Sequence, residues 1–221
     1  MVTTTMQGIP GDPLNVGAVG SRSDLLGAMH AAGWHPADAV TLRTSLDIVG
    51  SVVFRRPYPT APVSPLMYQG RREDLAFEKP AGQSADSRHH VRFWHVLESG
   101  AEGRPVWLGS ATFDRSVGLS RYTGEVTHHI AADIDAEREA LIGDLVAAGM
   151  VEAIYQVTGI GPTLRARNGE GDVYYTDGEI HVVVLVRDAQ PRAEPPTREA
   201  PPPLVSLKDS VWDKAADLIA R

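Results

Sequence analysis

Between Ser87 and Val96 the chain reads SRHHVRFWHV, three histidines and two arginines inside ten residues that otherwise have the make-up of a β-strand. Alternation along a strand sends His90, Arg92 and Trp94 to one face and His89, Val91, Phe93 and His95 to the other. The second set suits a core, so Arg88, His90 and Arg92 are expected together on a polar face. A second doubled histidine, His128 and His129, lies in the strand-like GEVTHHIA, where one of the two rings can sit beside His90. Asp114 closes the intervening strand, RPVWLGSATFD.

Two chemistries follow from this set. Guanidinium groups grip phosphate or carboxylate in bidentate fashion, so Arg88, His90, Arg92 and either His128 or His129 can form a cradle for a small anion, closed by Arg71 and Arg72 from a preceding loop. Alternatively, His90, His128 or His129 and Asp114 can hold a divalent metal with open positions and activate water against a phosphoester. No other cofactor is indicated. A third reading leaves the histidines filling a half-buried sheet, with Arg71 and Arg72 ion-paired to Glu73 and Asp74. The chain has no H-E-x-x-H, no nucleophile elbow and no phosphate-loop lysine after Gly17 and Gly20, so whether it is an enzyme stays open.

The elements that must position these groups alternate strand and helix signals. Ser21 with Asp24 makes a capping-box start for a helix through DLLGAMHAAG, and Gly33 suits its stop. Asp133 or Asp135 can cap a second helix, EREALIGDLVAAGM. Both end in Ala-Ala-Gly, which a duplicated strand–helix unit and chance in an alanine-rich chain explain equally. TLRTSLDIVGSVVF has helical spacing, and the proline-rich stretch after it keeps enough large apolar residues to pack as an ordered loop. Strands are expected at HHVRFWHV, RPVWLGSATFD, VTHHIA, EAIYQVTG, DVYYTD and EIHVVVLV, with Asp177-Gly178 as a hairpin turn and Trp94 against Trp107 as a cross-strand pair. The fold class is α+β: one domain with a mixed, mostly antiparallel sheet packed by two to three helices.

Residues 1–10 read as a flexible N-terminus, 11–188 as the domain, and 189–203 as a tether carrying six of the chain's 16 prolines. Residues 204–221 form an amphipathic helix with Leu207, Val211, Trp212, Ala215, Leu218 and Ile219 on one side. A lone helix of this length is marginal in water, so it must dock on its own domain, on a twin subunit or on a partner protein.

The chain has 221 residues, 43% hydrophobic content, no cysteine and a net charge of −7. The first excludes little, but the absence of cysteine removes thiolate chemistry and disulfides. The net charge argues against nucleic acid as a partner, because phosphate-driven binding needs a broad cationic face. Residues 51–104 are nevertheless locally basic, with eight Arg or Lys against six Asp or Glu, which a small anionic ligand could use. No apolar run is long enough for a transmembrane segment and the first residues lack a signal-peptide pattern, so the expected location is cytoplasmic.

In order along residues 11–150, GDPLNVGAVGS, AAGWHPAD, RPYPTAPVSPL, GRREDLAFEK, RHHVRFW, GRPVWLGSATFD and THHIAADIDAERE together resemble the LssY C-terminal domain family, named for a type I secretion system component. In longer relatives this domain follows phosphatase-like or transporter-like membrane segments. The resemblance therefore implies an envelope or secretion-related setting and phosphate-bearing ligands. It supplies no catalytic residues to carry over.

Overall fold

The computed structural model describes residues 1–37, 43, 65–81, 87–119 and 126–219, with backbone alone at 117–119, 126–128 and 216–219. The expected helix at 41–54 lies outside the described residues apart from Arg43.

A nine-stranded sheet organises the chain. Its order is β15 (Thr197–Arg198), β11 (Val151–Thr158), β14 (Glu179–Leu185), β3 (Val16–Val19), β9 (Val106–Leu119), β8 (Arg88–Leu97), β7 (Leu75–Pro80) and β4 (His35–Pro36), with β10 (Val126–Ile130) also on β9. Only β14–β3 and β11–β15 pair in parallel; the other neighbours are antiparallel. This is the expected α+β domain with a mixed, mostly antiparallel sheet. At 14 residues, β9 outruns β3 and takes β10 as its next neighbour. Asn15 bridges the join, donating from Nδ2 to the Ala111 and Ile134 carbonyls and accepting from the Ala111 amide.

One face of the sheet is covered by α1 (Arg22–Ala31) and α2 (Ile134–Ala147). Ser21 and Asp24 form the capping box, with the Asp24 amide donating to Ser21 Oγ and the Ser21 amide donating to Asp24 Oδ2. Asp133 caps α2. Ile134, Leu141, Ile142 and Leu145 repeat at helical spacing and are buried, each contributing on the order of 1.5–3 kcal/mol of apolar transfer. Both helices stop the same way: Gly33 (φ 80°) and Gly149 (φ 71°) turn left-handed, and the Trp34 and Met150 amides donate to Met29 and Leu145 carbonyls. The two units then diverge, α1 leading to the edge strand β4 and α2 to β11 at the opposite end. What they share is cap geometry.

The other face is divided. Val19, Ile180, Val182, Val184 and Trp94 make an apolar half, against which Leu14, Leu66 and Tyr68 pack. They come from a small sheet of β1 (Val2–Thr4), β2 (Pro10–Pro13), β5 (Met67–Tyr68) and β6 (Arg71–Arg72). Residues 1–10, expected to be loose, thus supply a paired strand, because β1 gains ladder bonds from β2 and β5. The remaining half of this face is polar.

Three local expectations are corrected. Asp177-Gly178 does not join paired strands: β13 (Val173–Thr176) pairs with β12 (Thr163–Arg167), while β14 pairs with β11 and β3. Asp177 is engaged instead by the Arg138 guanidinium through two hydrogen bonds. Trp94 lies opposite Leu108 and Trp107 opposite His95, so the tryptophans face opposite sides of the sheet. The proline-rich segment is pinned along its length, the Arg192 amide donating to the Gly149 carbonyl and β15 adding to β11. Beyond it α3 (Pro203–Ile219) docks beside the domain with Trp212 buried. No helix among the described residues is long and apolar enough to cross a membrane.

Candidate functional site

The polar half of the second face is built by register. β7, β8 and β9 set Arg88 opposite Asp114, His90 opposite Glu78 and Thr112, and Arg92 opposite Ala76 and Ser110. Directly opposed residues share a face, so the alternation that groups Arg88, His90 and Arg92 holds. The solvent expected over them does not: Arg88 is 4%, His90 2% and Arg92 6% exposed.

Burial of this many charges demands pairing. Arg88 donates from Nη1 to Glu78 (2.8 Å) and from Nε to Asp114 (3.1 Å). Asp12, arriving from β2, lies in the fields of Arg92, Asp114 and Asp172 and accepts from Asn168 Nδ2 at 2.9 Å. Asp172 in turn sits 2.7 Å from His129 Nδ1 and accepts from the Ile130 amide. Burial pushes the carboxyls of Asp12 and Glu78 up, against the opposing pull of Arg92 on the first and Arg88 on the second. The layer thus holds two guanidiniums, two imidazoles and four carboxyls, two of which are biased toward the neutral, proton-donating form. Among the described residues the Ser110 hydroxyl, fully buried, has no hydrogen-bond partner.

The structure therefore gathers Arg88, His90, Arg92 and Asp114 on one patch and links His129 to it through Asp172. The side chain of His128 lies outside the description. Arg71 and Arg72 stand elsewhere, at the His95 end of β8. Arg71 donates to the His95 carbonyl and lies 3.6 Å from Asp74, and Arg72 is 3.5 Å from Glu73. Asp114, expected as a metal ligand, is engaged by Arg88, and no group of three or more His, Asp or Glu suited to a metal ion occurs among the described residues.

Sequence reasoning missed Asp12, Glu78, Asp172, Asn168, Ser110 and Thr112. A signal existed for part of this set: Ser110, Thr112 and Asp114 are polar at every second position of a strand whose other residues are Gly109, Ala111 and Phe113.

No curated protein matches the chain, and no solved structure does. A family model described as LssY C-terminus matches residues 1–180, which takes in every strand of the buried polar patch and most of β3–β13 around it. The chain belongs to the LssY C-terminus family.

Proposed function

We propose that this chain is a binding or accessory module for a small phosphate-bearing anion, received on the Arg92–His90–Ser110 part of the buried layer, in an envelope or secretion-related system. The observation that carries the reading is the Ser110 hydroxyl, a buried donor with no acceptor among the described residues, placed directly across the strand pair from the Arg92 guanidinium. Buried hydroxyls are normally satisfied, and an oxyanion supplies acceptors of the right kind at that point. The upward shifts of Asp12 and Glu78 support it, since a neutral carboxyl beside an anion donates a hydrogen bond instead of repelling it. Arg88, clamped by Glu78 and Asp114, positions the layer.

Thermal denaturation with inorganic phosphate, phosphorylated headgroups and nucleotides, against chloride at matched ionic strength, tests this. Ligand at 100 times its Kd should add about 2.7 kcal/mol to the stability of the unmodified protein. Ser110→Ala and Arg92→Lys should reduce or abolish the shift, and no shift with any phosphate-bearing compound overturns the proposal. The rival reading, a metal-dependent phosphoesterase using His90, His128 or His129 and Asp114, requires stoichiometric divalent metal in the purified protein, which elemental analysis measures.

A further inference from the structure

The segment after β14 is held by few contacts for its length. Asp188 (φ 56°) and Ala189 (φ 49°) are consecutive non-glycine residues in the left-handed region, a strained conformation that α1 accommodates through Gly27, where any Cβ would meet that of Ala189 at 2.4 Å. From Gln190 to Pro202 the chain is extended and proline-rich, with β15 of two residues as its one strand. α3 then seats through three side chains: Lys208 on the Glu179 carboxylate and the Asp177 carbonyl, Asp209 accepting from Gln156 Nε2 at 3.0 Å, and Trp212 buried.

The seat belongs to the body of the domain. Glu179 is buried, and its second carboxylate oxygen has no hydrogen-bond partner among the described residues. A cleft of about 350 Å³ remains between α3 and the body, lined by Arg138, His181 and Trp212 among others, so the helix does not fill the space it covers. On its outer side Leu204, Leu207 and Val211 are 81%, 61% and 60% exposed, spaced three and four residues apart as in a helix–helix seam.

We propose that α3 exchanges between two copies of this chain, the Glu179–Gln156 seat of each receiving Lys208 and Trp212 of the other. A strained hinge followed by a stiff extended tether is the arrangement from which exchange of an element is easiest. At roughly 3.1 Å per residue the tether reaches about 40 Å, enough to meet a neighbouring copy. A second copy is the occupant because it carries the same Lys208 and Trp212 at the same helical spacing, and because bringing two α3 helices between two bodies gives the exposed stripe apolar cover.

Full-length protein labelled separately with donor and acceptor fluorophores, mixed and held at concentrations from micromolar to millimolar, should show energy transfer that grows with time and a dimer by light scattering. Lys208→Met, which keeps the aliphatic stem, should weaken the dimer about tenfold, the loss of one charge-assisted contact. Lys208→Arg should restore it in part. Ala189→Gly, which relaxes the hinge, should shift the population toward monomer. Near-ultraviolet dichroism from Trp34, Trp94 and Trp107, all buried away from the seat, verifies that each variant is folded. A single monomeric species at every concentration overturns the proposal, and so does a dimer that Lys208→Met and Ala189→Gly both leave unchanged.

Discussion

Arg88 is the residue on which the buried layer depends, because one guanidinium neutralises two carboxyls that have no access to water. Removing one partner of a buried ionic set leaves uncompensated charge, so Arg88→Ala should destabilise the protein by about 3–5 kcal/mol in urea titrations. Arg72→Ala, at an exposed pair with Glu73, should stay within about 1 kcal/mol. From sequence alone the two arginines look alike, each standing next to a possible partner. Strand alternation was enough to place Arg88, His90 and Arg92 on one side, since parity is a local property of the chain. Whether that side is wet depends on residues 76 or more positions away in sequence, Asp12 and Asn168 among them, and no local pattern encodes it.

Elements whose signals are local were legible. The capping box at Ser21, the Asp133 cap and the two glycine stops are each settled within one helical turn, and all appear as the spacing implies. Pairing between distant strands was not, which explains the misread Asp177-Gly178 turn and the tryptophan pair: a register offset of one residue separates Trp94 from Trp107. The two helix stops also differ in a way that only the tertiary structure shows. Gly33 has open space where a Cβ would go, whereas at Gly149 a Cβ would lie 2.6 Å from the Arg192 carbonyl oxygen. Gly33→Ala should therefore cost about 1 kcal/mol, the left-handed penalty alone. Gly149→Ala should cost more and also loosen the proline-rich segment, seen as faster amide exchange at Arg192.

At the scale of the whole molecule, several buried acids and one histidine bind protons more tightly folded than unfolded. A hydrogen bond from Glu137 raises the pKa of His89, outweighing burial, and burial raises those of Glu137, Glu78, Asp12 and Asp135. A group with a raised folded pKa contributes stability that is complete below its unfolded pKa and lost as pH rises through the folded one. Glu139 acts in the opposite sense: burial raises its pKa, but His181 and Arg138 outweigh that and hold it at about 2, so its contribution is lost only in strong acid. The Tm should thus be highest at about pH 4–5 and fall toward pH 8, and His89→Gln should flatten the part of that fall above about pH 6.5. The outermost members of the large sheet, β4 and β15, are two residues each, and Pro36 in β4 offers no amide to a newcomer. Such stubs give another molecule's backbone almost no ladder to extend, so the protein should resist fibrillation and stay dispersed when concentrated, with β11 the one row of amides that becomes sticky once its short guard strand peels away.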